Sequence, residues 1–201
     1  MRMSRALIAV VAVIVVVFIA VGVRMVVFDG HNRAQQGGVL PAIGGPFTLA
    51  GPDGKTVTDA DFAGRYRLMF FGYTFCPDVC PTALSTVAAA LDKLSPEQRE
   101  RLVPIFVTVD PARDTPKVMK DYVAAFHPAI VGLTGTEQQI ADVARSFKVY
   151  YAKVKGGKEG EYSMDHSAIL YLMGPDGKFV AHFPHGTTAD DLAAGLKKHI
   201  Q

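Results

Sequence analysis

The chain has 201 residues, 49% hydrophobic and 20% charged, with a formal net charge of +2, which leaves room for one domain of ordinary size beside an N-terminal segment. Arg2, Arg5, Arg24 and Arg33 face only Asp29 within the first 33 residues, so the rest is near neutral and lacks the basic bias of a nucleic-acid-binding protein. No P-loop, G-x-G-x-x-G, H-E-x-x-H or G-x-S-x-G motif is present, which removes the commonest nucleotide-binding, zinc-protease and serine-hydrolase readings.

Ala6 to Val23 carries no charge, and the apolar character resumes through Met25-Val26-Val27. At about 1.5 Å per residue, residues 6–27 span about 33 Å as a helix, enough for a bilayer core of about 30 Å. A cleaved signal peptide would have a shorter apolar region and a small-x-small site after it. Gly30-His31-Asn32-Arg33 offers no such site. Residues 1–27 therefore read as a retained single-span anchor and the glycine-rich residues 28–45 as a linker. Arg2 and Arg5 favour a cytoplasmic N-terminus. In a bacterium that places residues 46–201 in the periplasm as the outward domain of an inner-membrane protein; in a mitochondrion, in the intermembrane space. In both compartments the redox state of a thiol matters.

Pro46–Leu49 and Lys55–Thr58 flank Gly51-Pro52-Asp53-Gly54, a hairpin signal. Tyr66–Tyr73 is an apolar run of strand length, and Leu84, Val87, Ala88, Leu91 and Leu94 recur at helical spacing. Leu102–Val109 is a second buried strand. Thr115-Pro116 caps and opens a helix that runs to about Phe126. Ile130–Leu133 is a short strand, Thr136–Gln139 a capping box for a helix towards Phe147, and Val149–Lys155 extended. A solvated loop, Lys155–Glu161, precedes strands Ser167–Met173 and Lys178–Phe183, and a helix from about Thr188 to His199 closes the chain. This alternation predicts an α/β layer fold with helices on both faces of the sheet.

The two cysteines of the chain, Cys76 and Cys80, stand where the first long strand gives way to a helix. Pro81 suits a first helical turn, and the partial positive charge of a helix N-terminus favours thiolates. If both lie on the helix, their Cβ atoms are about 5–6 Å apart, wider than the roughly 3.5–4.5 Å of a relaxed disulfide. That spacing suits metal chelation or a strained, easily reduced disulfide better than a permanent staple. If Cys76 precedes the helix, the argument loses force.

Two thiolates are an incomplete site for most metals, which brings in the six histidines. His31, His127 and His199 read as surface imidazoles, and His182 and His185 as a solvated strand end. His166, just before an apolar strand, is placed to face the cysteines across the sheet end, and stands open between a metal ligand and a plain strand-end residue. Two soft sulfurs and one imidazole suit copper, whereas zinc would lack a fourth protein ligand.

Tyr73-Thr74-Phe75-Cys76-Pro77-Asp78-Val79-Cys80-Pro81, Val109-Asp110-Pro111-Ala112-Arg113-Asp114-Thr115-Pro116, and Asp165-His166-Ser167 through Tyr171-Leu172, in that order behind one anchor, resemble the SCO/SenC family over roughly residues 40–200. The resemblance implies a thioredoxin-like fold enlarged by an N-terminal hairpin and inserted elements and preceded by one transmembrane helix. It also implies copper, as Cu(I), Cu(II) or both, held by Cys76, Cys80 and His166. The implied role is assistance to the assembly of the copper centre of cytochrome c oxidase, with the copper-bearing oxidase subunit, other copper chaperones and thiol reductants as partners. Asp78, Asp110 and Asp114 are motif positions that either shape the site or its docking surface, or simply cap loops.

Three functions compete. A metallochaperone is not an enzyme in the usual sense. A thiol–disulfide oxidoreductase would use the same cysteines, but thioredoxins have two residues between them, not three, and a proline where His166 is expected. A copper-dependent redox sensor would use the same ligands. A peroxiredoxin is disfavoured, because Tyr73 stands where that chemistry wants Thr or Ser.

Overall fold

The computed structural model describes Phe18, residues 42–156 and residues 161–200. Apart from Phe18, the expected anchor lies outside the described residues, as do His31, the linker up to residue 41 and residues 157–160 of the expected solvated loop. Among the described residues no helix is long and apolar enough to cross a membrane.

Strand β1 (Thr48–Ala50) and strand β2 (Thr56–Thr58) form the hairpin expected from the Gly51–Gly54 turn, pairing antiparallel. A 3-10 turn, Asp59–Phe62, leads to β3 (Tyr66–Gly72). Then follow α1 (Val79–Leu91), α2 (Pro96–Glu100), β4 (Leu102–Thr108), α3 (Pro116–Ala124), β5 (Val131–Leu133) and α4 (Glu137–Ser146). The chain ends with β6 (Tyr151–Lys155), β7 (Tyr162–His166), β8 (Leu170–Met173), β9 (Phe179–Phe183) and α5 (Ala189–His199).

The main sheet has the order β5-β4-β3-β8-β9. Strands β3, β4 and β5 run parallel, whereas β8 is antiparallel to β3 and β9 to β8. Every residue of β4, and all but the first of β3, is buried. This is why both read as unbroken apolar runs rather than alternating ones: parallel central strands are covered on both faces. Alternate residues of β3 serve the two layers. Phe70 stacks on Phe106 of β4, whose ring meets Tyr122 of α3. Phe71 turns the other way, onto Phe147 at the end of α4 and Tyr171 of β8. Helices α1 and α5 pack against each other. The hairpin is tied to the residue after β5 through Ala50 and Thr134, whose backbones exchange hydrogen bonds of 2.6 and 3.0 Å.

The helix starts follow from their caps. The Thr115 hydroxyl accepts from Val118 N–H with Pro116 at the first position, and Thr136 and Gln139 form the expected reciprocal box. Besides the 3-10 turn, two elements have no counterpart in the sequence pattern. Helix α2 rests on a second box, Ser95 with Gln98, and is too short to show periodicity. Strand β7 pairs with β6 from Tyr151↔His166 to Lys155↔Tyr162, forming a two-stranded ribbon separate from the main sheet.

Candidate metal centre

The end of β3 delivers the first part of the site. Gly72 closes that strand, and a Cβ there would stand 2.5 Å from Cys80 Sγ and 2.8 Å from the Phe106 ring. A glycine is thus what lets helix α1 bring Cys80 down onto the sheet. Cys80 is the second residue of α1 and fully buried, whereas Cys76 lies three residues before the helix and is partly exposed. The four-apart helical geometry does not apply to this pair, so the expectation of a disulfide strained by that spacing is corrected: the chain turns between Tyr73 and Cys76, with Cys76 N–H donating to Tyr73 C=O at 3.3 Å. The turn aims Cys76 Sγ back at the helix N-terminus, where it accepts from Cys80 N–H at 3.4 Å.

The third group arrives from 86 residues away. His166 Nε2 stands 3.4 Å from Cys80 Sγ, and the donor atoms of Cys76, Cys80 and His166 all lie within 4.8 Å of one another. The imidazole Nδ1 lies 3.4 Å from the Ser167 carbonyl oxygen, which can only accept. A proton on Nδ1 would satisfy that carbonyl and leave the Nε2 lone pair facing the sulfurs, the arrangement a metal-binding histidine needs. The ring is wedged edge-on against Tyr73 and Phe70. His166 was expected at the lip of the strand that follows it; it is instead the last residue of β7. The signal was present in Tyr162-Ser163-Met164-Asp165-His166, which alternates inward and outward at the strand period.

Among the described residues, the remaining histidines do not join. His182 and His185 are exposed, His182 stacking on Phe179. His127 Nδ1 accepts from Ala129 N–H, and His199 is the last residue of α5.

The second motif supports the first from beneath. Asp114 is fully buried, and its carboxylate accepts from Thr74 N–H at 3.1 Å, Thr74 Oγ1 at 2.6 Å and Thr108 Oγ1 at 2.6 Å. It therefore ties the loop entering Cys76 to the end of β4. Burial pushes its carboxyl up, against the pull of those hydrogen bonds. Asp110 is also buried; it pairs with Arg113 Nε and accepts from the Tyr162 hydroxyl at 2.9 Å. Asp78 is different: exposed before α1, it accepts from Thr82 Oγ1 at 3.3 Å and caps no backbone N–H. The sequence motifs include Tyr73, Thr74 and the Asp110–Asp114 segment but give no role to Gly72, Thr108 and Tyr162, whose residue types alone carry no chemical signature.

The cysteines are electrostatically unequal. Hydrogen bonding from the Cys80 thiol, aided by its backbone N–H, lowers the Cys76 thiol to about 4 against the cost of burial. The same contact, together with burial, pushes Cys80 far up. Cys76 is thus a thiolate at neutral pH and Cys80 a thiol. In the reduced, metal-free protein, iodoacetamide at pH 6 should modify Cys76 alone, at a rate that stays flat up to pH 8 and falls only near pH 4. An ordinary thiol, with a pKa of about 8.5, would lose reactivity about 75-fold between pH 8 and pH 6. Peptide mapping that finds Cys80 modified first would contradict this polarity.

A profile of the SCO1/SenC family matches residues 35–201. The chain belongs to the SCO1/SenC family. It is 43% identical over 160 residues to the mitochondrial SCO1 homolog 1 of Arabidopsis thaliana, covering 80% of this chain and 48% of that protein. It spans about half to three fifths of the length of the first curated relatives it matches. The crystal structure of Arabidopsis thaliana ScoI with copper bound superimposes with a TM-score of 0.73 at 42% identity, over 79% of this chain and 98% of that one. The structure of Bradyrhizobium japonicum ScoI with copper bound gives 0.72 at 46% identity, over 79% and 99%. BsSco, described as carrying a disulfide switch and as a member of the Sco family of cytochrome c oxidase assembly proteins, gives 0.61 at 29% identity, over 80% and 94%. The fold itself is thioredoxin-like: the thioredoxin domain of a Bacteroides vulgatus thiol-disulfide oxidoreductase superimposes with a TM-score of 0.56 at 18% identity, over 80% and 97%.

Proposed function

We propose that this SCO1/SenC protein is a metallochaperone that takes copper on Cys76 Sγ, Cys80 Sγ and His166 Nε2 and passes it to the copper-bearing subunit of cytochrome c oxidase during assembly. The observation that carries the reading is the convergence of these three donor atoms within 4.8 Å, one already ionised and one with its lone pair aimed inward. Two sulfurs and an imidazole are a soft donor set that suits copper and leaves zinc a ligand short. The copper-bound Arabidopsis and Bradyrhizobium relatives support the metal, and BsSco the oxidase context. The partly exposed Cys76 gives an incoming thiolate a route to the metal, so cargo can leave by ligand exchange while Cys80 and His166 still hold it. Titrating the reduced full-length chain, in detergent, with copper tests the proposal: one equivalent should bind, and none should bind tightly to the double variant Cys76→Ser/Cys80→Ser.

One observation favours a second reading beside the first. An accessible thiolate at Cys76 next to a protonated, buried Cys80 is the arrangement of an attacking and a resolving thiol. The protein would then reduce the cysteines of its oxidase target before or while they receive copper.

We also propose that residues 1–27 anchor the chain in the bacterial inner membrane or its mitochondrial counterpart, with 28–45 as tether and 46–201 as the outward copper-binding domain. The uncharged stretch Ala6–Val23 supports this. The protein should stay with membranes through alkaline carbonate extraction; a soluble form beginning near residue 30 would mean the segment is cleaved.

A further inference from the structure

Resting on the copper reading, we propose that Arg113 is the positioning residue that seats His166 against the cysteine pair, by pinning the ribbon that carries the histidine to the loop that carries Cys76. The ribbon needs such a pin. Strands β6 and β7 pair with each other and not with the main sheet, and a lone two-stranded ribbon is marginal on its own. Its hydrogen bonds to the segment after β4 both run through Tyr162: Arg113 Nη1 donates to the Tyr162 carbonyl at 3.1 Å, and the Tyr162 hydroxyl donates to Asp110 Oδ1 at 2.9 Å. Asp110 in turn pairs with Arg113 Nε, closing the cycle.

The flat guanidinium also joins the cysteine loop. Its carbon lies 3.7 Å from the Tyr162 ring centroid, 4.7 Å from that of Phe75 and 5.7 Å from that of Tyr73. Phe75 precedes Cys76 and is 67% exposed, so this stack is what holds an otherwise solvated ring in place. Tyr73 is the residue whose ring meets the His166 imidazole, at 5.8 Å between centroids. Arg113 thus touches both sides of the site without touching a donor atom. Only an arginine can do this: a lysine keeps the charge but has neither the fork for Asp110 and the Tyr162 carbonyl nor the plane for the rings.

The test compares the full-length wild type with Arg113→Ala, Arg113→Lys, His166→Ala and the double variant Arg113→Ala/His166→Ala. Cu(I) affinity is read by competition with a chromophoric Cu(I) chelator, and the His166 imidazole protons are read by NMR in the reduced, metal-free protein. Arg113→Ala should weaken Cu(I) binding about 10-fold, in the range of residues that orient a metal ligand, and Arg113→Lys should recover little of it. Added to His166→Ala, Arg113→Ala should cost less than a factor of two more, because its effect passes through the imidazole. The His166 protons should lose the ring-current shifts imposed by Tyr73 and Phe70 in both Arg113 variants. Multiplicative losses in the double variant, or full affinity in Arg113→Lys, would overturn the assignment. If Arg113→Ala does not fold, Arg113→Lys carries the comparison alone. If the wild type binds no Cu(I), the copper reading fails by itself, and the imidazole shifts then decide the role of Arg113: unchanged shifts overturn it.

Discussion

His166→Ala should separate the two chemistries available at this site. Loss of the imidazole leaves copper on two sulfurs and open to competing thiols, so affinity should fall by at least the 10- to 100-fold typical of weakened metal-site support, about 1.4–2.7 kcal/mol. The cysteine pair should remain redox-active, because thiol–disulfide exchange needs an attacking thiolate and a resolving thiol but no metal ligand. The disulfide should be readily reducible in wild type and variant alike. Its cause is the stabilised Cys76 thiolate, which favours the reduced form, rather than helical strain. A potential above about −300 mV, outside the range of structural disulfides, is therefore expected in both proteins. Cys76→Ser and Cys80→Ser should each abolish copper binding and exchange together. In cells with limiting copper, His166→Ala should fail to support oxidase assembly, with partial rescue by added copper. Full assembly by His166→Ala under that limit would replace delivery by the reductant role.

Asp114→Ala should be strongly destabilising although it touches no donor atom. It leaves Thr74 N–H, Thr74 Oγ1 and Thr108 Oγ1 without the acceptor they share, and an unsatisfied buried polar group costs about 1–3 kcal/mol. Thr74 is partly accessible and recovers some hydration, so a loss of about 3 kcal/mol is expected. For a domain of this size that lowers the melting temperature by about 10 °C. Asp114→Asn keeps one acceptor oxygen and should lose about half as much. The cysteine loop should loosen in step, so that Cys76 alkylation loses its flat pH profile while His166 keeps its ring-current shifts. Calorimetry finding Asp114→Ala within 0.5 kcal/mol of wild type, about the effect of an ordinary surface substitution, would mean the carboxylate is not the clamp described above.

Much of this was legible in the sequence because short-range chemistry wrote it there. The Phe70–Thr82 stretch announces a strand, a turn and a helix, and Thr115-Pro116 and Thr136–Gln139 announce helix starts, since caps are decided within four residues. The buried strands β3 and β4 declared themselves by unbroken apolarity. The sequence left the side of the helix start on which Cys76 falls open, for a local reason: the turn from Tyr73 to Cys76 postpones the helix to Val79, and spacing alone does not register such a turn. Strand β7 was missed because its Ser163 and Asp165 face solvent and its inward positions are Tyr, Met and His rather than a run of β-branched residues. Asp114 had the look of a turn residue. Its burial depends on Thr74 folding over it from 40 positions away, which no window of sequence contains. The same holds for Arg113 and Tyr162, joined by a fold that brings three distant segments to one point.

X-ray absorption at the copper edge, on the full-length protein loaded with one equivalent of Cu(I), reads the ligands themselves. The metal should have two sulfurs and one nitrogen around it with the outer scattering of an imidazole, and His166→Ala should lose that imidazole signature while keeping both sulfurs. A shell of nitrogen and oxygen alone, or an imidazole that persists in His166→Ala, would contradict a site built from Cys76, Cys80 and His166.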